Sequence, residues 1–117
     1  MTSGMPPSDP ASRRARAVLP EGWPHPRGYA NGILAEGRML YVAGQIGWES
    51  DGTFASDDFV AQFARALDNV IDVVRAAGAE PDALVKMTVY VTDLEAYRQR
   101  AAELGPVWRQ RLGKHYP

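Results

Sequence analysis

Residues 57–78 carry the sequence DDFVAQFARALDNVIDVVRAAG, which is the clearest helical pattern of this 117-residue chain. Asp57 and Asp58 place an N-cap and negative charge where the positive end of a helix dipole lies. Gly78 follows the helical pattern and is typical of a C-terminal cap. Apolar side chains recur at helical spacing, at Phe59, Val60, Phe63, Leu67, Val70, Ile71 and Val74. We therefore expect a helix from about residue 57 to residue 77 whose apolar stripe forms the core.

Two segments before this helix have the composition of strands. Residues 29–34 and 39–48 are rich in aromatic and β-branched side chains. The four residues between them include Gly37, which can adopt positive φ, and they predict a hairpin turn. Neither face of the 39–48 segment is strongly polar, so both faces of this predicted strand are expected to be covered.

The part of the chain after the helix predicts a third strand and a second helix. Residues 82–92 alternate between apolar and polar side chains, as in a strand with one buried face. Thr92 and Glu95 have the spacing of a capping box that opens the second helix. Gly105 and Pro106 are expected to break or kink that helix, which then resumes over residues 107–112. The element order is therefore ββαβα, and a strand–helix–strand unit favours a right-handed crossover and parallel pairing.

A sheet of three strands covered by helices on one face leaves its other face open. The side chains that this arrangement places on the open face are those of Met39, Tyr41, Ala43 and Tyr90. Exposed apolar patches of this kind usually mark interfaces. We therefore expect the protein to associate with copies of itself through this face.

Composition bounds the organisation and location of the protein. Residues 1–17 are rich in Pro, Ser and Arg, and they predict a disordered tail before a single domain over residues 18–117. The chain has no cysteine, a net charge of −1 and no apolar run long enough to span a membrane. These features predict a cytoplasmic protein without a membrane association, and they argue against nucleic acid as a partner.

Residue patterns alone give little chemistry. The sequence has no P-loop, no nucleophile elbow and no zinc-protease motif. His25 and His115 are far apart and lack acidic companions at ligand spacing, so we expect no metal site. Gly44 and Gly47 lie inside a predicted strand, where glycine marks either close approach by a ligand or a structural need, namely a bulge, tight hairpin packing or another backbone close by. The spacing favours neither of these two explanations.

The glycine-containing segments carry a resemblance to a known family. The sequence resembles the Rid family of reactive-intermediate deaminases, also called the L-PSP endoribonuclease or translation inhibitor family. The matching segments are residues 28–32 (GYANG), 40–47 (LYVAGQIG), Gln62 with 66–70 (ALDNV), 76–79 (AAGA), 85–93 (VKMTVYVTD) and 115–117 (HYP). Their order and spacing extend the resemblance from about residue 20 to residue 117.

The resemblance implies both a fold and an activity. The implied fold is α/β (α+β): a chorismate-mutase-like ββαβα(ββ) subunit with two helices on one face of its sheet. Three subunits of such a protein pack their sheets into a trimeric barrel with ligand clefts between neighbours. The implied activity is hydrolysis of enamines and imines such as 2-aminoacrylate to 2-keto acids and ammonia, with no metal and no cofactor.

The resemblance also implies a set of substrate-binding residues. Tyr29 corresponds to the family's cleft tyrosine, and Gly44 supplies a backbone amide. Ala43 stands where well-studied members often carry a small hydroxyl residue, and Gln45 and Tyr116 complete the candidate set. The family's carboxylate-binding arginine and a water-activating glutamate follow the position of Pro117, so the resemblance assigns no catalytic residue here. Because a sheet without its final strands would have long open edges, we expect a longer natural chain rather than a divergent short member.

Two other functions stay open at this point. A non-catalytic protein that binds small ligands such as keto acids would need the same fold but not the missing arginine. A ribonuclease or translation inhibitor rests on the older family name alone, and the net charge of −1 argues against it.

Overall fold

The computed structural model describes residues 15–117, in which two strands precede two long helices. The elements are β1 (Ala15–Val18), β2 (Gly32–Ala35), α1 (Phe59–Ala76), a 3-10 turn (Pro81–Ala83) and α2 (Leu94–Leu112). The protein is thus a mixed α+β domain with a small antiparallel sheet and two helices.

The sheet pairs β2 with β1 rather than with the segment that follows it. Ala15 lies opposite Ala35, and Val18 lies opposite Gly32. The predicted hairpin between residues 29–34 and 39–48 is therefore wrong, although Gly37 has the expected positive φ of 116°. The predicted tail over residues 1–17 lies mostly outside the described residues. Its last three residues are an exception, because they belong to β1.

The second and third predicted strands do not form in residues 15–117. Residues 39–47 and 84–92 contain no strand, and the nearest pairing is an isolated bridge between Trp48 and Phe54. Parallel pairing across the helix is accordingly absent from the described chain. Alternating side chains and β-branched residues suit a strand, but a ladder also needs a neighbour whose N–H and C=O groups are in register. A local pattern does not supply that neighbour.

Helix α1 confirms the clearest predicted helix and both of its caps. The side chain of Asp58 accepts a hydrogen bond from the N–H of Ala61 at 2.9 Å. At the other end Gly78 has a φ of 88°, and its N–H donates to the carbonyl of Arg75 at 2.9 Å. The N–H of Ala79 reaches the carbonyl of Val74 at 3.2 Å. These two bonds form a Schellman motif, which satisfies carbonyls that the helix end would leave unpaired.

Helix α2 differs from its prediction in two ways. Its N-cap is Asp93, whose carboxylate accepts from the N–H of Ala96 at 3.0 Å, so the capping box starting at Thr92 is wrong. The helix also continues through Pro106 without a break. Proline has no N–H to donate within a helix. Contacts of the last turns with α1 therefore have to offset this lost bond.

The core lies between the two helices. Leu67 and Ile71 of α1 are buried against Leu112 of α2. Partly buried apolar side chains surround this cluster, namely Phe63, Leu84, Met87 and Trp108. The expected apolar stripe of α1 is thus the centre of the core, and burial of such side chains is the largest favourable contribution to folding.

Ion pairs join the helices on either side of this core. Arg111 forms a two-pronged contact with Asp68, from Nε to Oδ1 at 2.6 Å and from Nη2 to Oδ2 at 3.2 Å. Arg100 contacts Asp58, the N-cap of α1, and also Glu103 on its own helix at 2.8 Å. These hydrogen bonds from Arg100 lower the pKa of the Asp58 and Glu103 carboxyl groups. The pairs fix how the helices cross, while exposed ion pairs contribute little to stability.

Gly47 packs directly on the backbone of α1. A Cβ atom built at Gly47 would lie 2.8 Å from Cα and 3.0 Å from the carbonyl oxygen of Gln62. Real side-chain carbons do not approach backbone so closely, so only glycine fits here. A Cβ at Gly44, in contrast, would meet no atom within 4 Å. Of the two explanations for these glycines, backbone packing therefore holds at Gly47, while Gly44 borders open space.

The contrast between the two glycines predicts that the same substitution destabilises the protein at Gly47 and has little effect at Gly44. Gly47→Ala should lower the free energy of unfolding by about 1–3 kcal/mol, since overpacking against rigid backbone forces the segment away from α1. Gly44→Ala should change it by no more than about 0.5 kcal/mol. Urea denaturation followed by circular dichroism measures both values, and equal effects at the two positions would contradict the close packing at Gly47.

The contact of Arg100 with Asp58 predicts a pH effect. Because the folded protein lowers the pKa of Asp58, this contact stabilises the fold above the unfolded-state pKa of about 3.9. The contribution is lost as the pH falls through the lower folded-state pKa. Arg100→Leu should raise the pKa of Asp58 toward its ordinary value and reduce the loss of stability on acidification.

Carboxyl ¹³C NMR titration of Asp58 measures this shift directly. Arg98→Leu is the matched control, because Arg98 is an exposed arginine on the same helix. An Asp58 pKa that stays the same in Arg100→Leu would contradict the assignment.

Candidate functional site

We call residues 43–49 the glycine segment. Side chains of α1 hold this segment by hydrogen bonds to the segment's backbone carbonyls. Asn69 donates from Nδ2 to the carbonyls of Ile46 at 3.0 Å and Trp48 at 2.9 Å. Arg65 donates from Nε to the Trp48 carbonyl at 3.2 Å and pairs with Glu49 at 3.4 Å. These bonds hold residues 46–49 against the helix, so the preceding residues extend from a fixed support.

Ala43, Gly44 and Gln45 lie at the free end of this attached segment. The side chain of Gln45 folds back and donates from Nε2 to the carbonyl of Ala43 at 3.3 Å. Within the described chain the N–H of Gly44 donates to no carbonyl, and Gly44 is exposed. An accessible backbone N–H beside a residue without a Cβ can donate to a ligand oxygen at close range. The structure thus leaves the surroundings of Gly44 open on the surface of the described chain.

Tyr29 is a second exposed candidate residue. It follows Gly28, whose φ of 76° turns the chain toward β2. The Tyr29 side chain is 54% exposed. Its ring can therefore contact a ligand or another subunit without displacing part of the core.

Tyr116, the last candidate residue, lies in a different part of the domain. Its ring stacks on Trp108 of α2, with a distance of 6.0 Å between ring centroids and an angle of 11° between planes. The residues around Trp108 belong to the helix core, whereas residues 43–45 extend from the outer face of α1. Within the described residues Tyr116 stacks on Trp108 and Gln45 bonds to Ala43, with no hydrogen bond or stacking contact between these two groups.

An open groove of about 530 Å³ adjoins the attached segment, and its charge is negative. Its lining includes Gln45, Asn69 and the acidic side chains of Glu49, Asp51 and Asp72. The hydroxyl of Thr53 donates to Asp51 at 2.6 Å and lowers the pKa of that carboxyl group, as does the backbone N–H of Thr53. The groove would repel a carboxylate ligand. The N–H of Gly44 is therefore a better candidate than this groove for binding an anion.

The helix side chains that position the segment were missed by sequence reasoning. Asn69 and Arg65 lie on the polar side of a helix, where such residues are ordinarily solvated. Arg65 and Asn69 follow Gln62 by three and seven residues, which puts all three on one helix face. This spacing is the sequence signal that could have identified them.

Residues 15–117 contain neither a metal-binding cluster nor a helix that could span a membrane. No three His, Asp or Glu side chains come together in the way that a metal ion would need. Neither long helix has the combination of length and apolarity required to cross a membrane.

The side chains predicted for an open sheet face are exposed, although the predicted sheet does not form. Met39, Ala43, Tyr41 and Tyr90 are all exposed, the two tyrosines to 86% and 89%. Leu40, Ile46 and Val89 of the opposite predicted face are exposed as well, so exposure does not distinguish the two predicted faces.

Comparison with known proteins identifies relatives of this chain. The family model for Endoribonuclease L-PSP matches residues 24–116. A RutC family protein of Pyrococcus abyssi is 29% identical over 101 residues, which cover 86% of this chain and 76% of that protein. The human 2-iminobutanoate/2-iminopropanoate deaminase is 27% identical over 90 residues, and the match covers 76% of this chain and 62% of the human protein.

A solved structure gives the same relationship at the level of the fold. The Rid protein YyfB of Yersinia pestis, a protein of unknown function, superposes with a TM-score of 0.60 and 27% identity. The superposition covers 83% of this chain and 77% of YyfB. The two helices, the small sheet and the family match over most of the chain agree with the sequence resemblance. The chain belongs to the L-PSP endoribonuclease family, the Rid family.

Proposed function

We propose that the protein hydrolyses small enamine or imine carboxylates, such as 2-aminoacrylate, to 2-keto acids and ammonia. The observation that carries this proposal is the family match over residues 24–116, which includes every candidate site residue. Relatives named as 2-iminobutanoate/2-iminopropanoate deaminases, from human and goat, support this choice of substrate class. We propose a cytoplasmic location on the basis of the cysteine-free composition.

The reaction makes three demands on the site. A donor must hold the substrate carboxylate, a group must position water, and a proton must reach the departing nitrogen. Water adds to the imine carbon, the carbon–nitrogen bond then breaks, and the nitrogen leaves as ammonia. The exposed N–H of Gly44 is our candidate for a donor to the carboxylate, and Tyr29 lines the cleft beside the ligand.

We propose that the complete cleft forms between subunits of a homotrimer. The high exposure of Tyr41 and Tyr90 supports an interface on this face of the chain. The separation of Tyr116 from residues 43–45 within one chain supports the same arrangement. A neighbouring copy would supply the Tyr116 cluster as the opposite wall of the cleft.

Ala43 supports a second candidate function, binding of a small keto acid without turnover. The methyl group of Ala43 cannot donate or accept a hydrogen bond. Its carbonyl is already the acceptor for Gln45. A cleft with this reduced set of polar groups can retain affinity for a carboxylate while losing control of water or of a proton.

An assay in which a coupled enzyme generates the substrate in situ tests the proposal. A serine dehydratase releases 2-aminoacrylate, and the appearance of 2-keto acid is followed with and without this protein. We expect an acceleration of at least about tenfold, equivalent to about 1.4 kcal/mol of transition-state stabilisation. Tyr29→Ala should lower kcat/KM by about tenfold or more through loss of its contact with the ligand.

Tyr97→Ala serves as the matched control, because Tyr97 is a partly exposed tyrosine on α2 outside the site. Sedimentation of the same sample establishes whether it is trimeric. A trimer that leaves the rate at its uncatalysed value would exclude the deaminase. A rise in thermal stability with pyruvate in that sample would then favour the binding function.

A further inference from the structure

Residue 115 is fixed by hydrogen bonds in three directions. Its N–H donates to the carbonyl of Leu112 at 3.1 Å. Its carbonyl accepts from Nε1 of Trp108 at 2.9 Å. Its imidazole Nε2 lies 2.7 Å from the carbonyl of Leu84. Since a carbonyl only accepts, Nε2 must carry the hydrogen, in the neutral Nε2–H tautomer or in the imidazolium.

The three partners of His115 belong to parts of the domain that are themselves anchored. Leu112 is a buried member of the core, and Trp108 and Leu84 pack against that core. The imidazole thus links the chain that follows α2 to the chain that follows the 3-10 turn. Neither segment has strand pairing of its own in the described chain, so this side-chain bond is a major constraint on their separation.

The position of Tyr116 depends on these hydrogen bonds of His115. Trp108 contacts both residues, donating its indole N–H to His115 while its ring stacks on Tyr116. The stack holds the Tyr116 ring against Trp108 but does not by itself fix the backbone that leads to it. With the backbone of residue 115 held, the Tyr116 ring has a defined starting point and a defined surface to pack on.

We propose that His115 is a positioning residue for Tyr116, acting through its bond to the Leu84 carbonyl and not by contact with substrate. The proposal rests on the proposed function only for the role of Tyr116 as a ligand-binding residue. Loss of the imidazole bond would free the chain after α2 and misplace Tyr116. Substrate affinity would then fall more than the rate of the chemical step.

Two substitutions of His115 distinguish the effect of its hydrogen bond to Leu84 from the effect of side-chain bulk. Gln carries an Nε2 donor that can reach the Leu84 carbonyl, whereas Leu has similar bulk and no donor. We expect His115→Leu to raise KM about five- to tenfold with kcat within about twofold, and His115→Gln to stay close to the wild type. His25→Leu is the control, because His25 is the other histidine of the chain and is exposed.

A spectroscopic measurement tests the same point without turnover. Trp23, Trp48 and Trp108 are the three tryptophans of the chain, and Trp108→Phe identifies the indole N–H signal of Trp108 by its loss. Exchange of that N–H with solvent should be about tenfold faster in His115→Leu than in the wild type or in His115→Gln. The Tyr116 ring signals should move in the same variant.

The two readouts distinguish failure of this proposal from failure of the deaminase function. If the wild type has no activity but the exchange pattern is as expected, the deaminase is excluded and the role of His115 stands. If His115→Leu has wild-type exchange and wild-type KM, the positioning role is overturned. Should His115→Leu fail to fold, His115→Met replaces it, because methionine is flexible and has no N–H donor for the Leu84 carbonyl. A wild-type KM and unchanged Tyr116 signals in that variant would also overturn the proposal.

Discussion

The contact between Gly47 and the backbone of α1 is the constraint on which the candidate site depends. With no Cβ at residue 47, the chain comes close enough to Gln62 for Asn69 and Arg65 to reach the carbonyls of Ile46 and Trp48. Several weak polar contacts would not hold an exposed segment by themselves. They become effective because the close backbone approach has already restricted the chain.

Helix α1 consequently makes two sets of contacts, one on each of two faces. Its apolar stripe, centred on Leu67 and Ile71, packs on α2 and builds the core. The stripe that contains Gln62, Arg65 and Asn69 holds the glycine segment instead. The core fixes the helix and the helix fixes the segment, so the position of Gly44 is determined indirectly by side chains that never approach it.

The C-terminal cluster repeats this logic at the other end of the core. Trp108 belongs partly to the apolar packing and partly to a hydrogen bond with the main chain of His115. The imidazole of His115 adds a link to Leu84. Both clusters therefore present their candidate ligand-binding residues from supports that are rigid, which is what a binding site on irregular chain requires.

The sequence predicted the helices better than the sheet. The period of the apolar side chains and the Asp58 and Gly78 caps are local, and they gave α1 within two residues at its start. At α2 the same reasoning misplaced the cap by one residue and overestimated the effect of Pro106, because packing against α1 offset one missing bond. Tyr41 and Tyr90 are exposed as predicted, but Leu40 and Val89 of the opposite predicted face are exposed as well, because no sheet forms to separate the two faces.

By itself the sequence determined the two helices, the apolar stripe of α1, the order of the family motifs and the residues that make up the candidate site. The tertiary structure alone decided that β2 pairs with β1, that Gly47 packs on α1 while Gly44 stays open, and that His115 bonds to Leu84. The physical reason is the range of the interactions. Helical hydrogen bonds and caps join residues within a few positions, whereas a strand partner, a close backbone approach or a side-chain bond across the core depends on where distant segments come to lie.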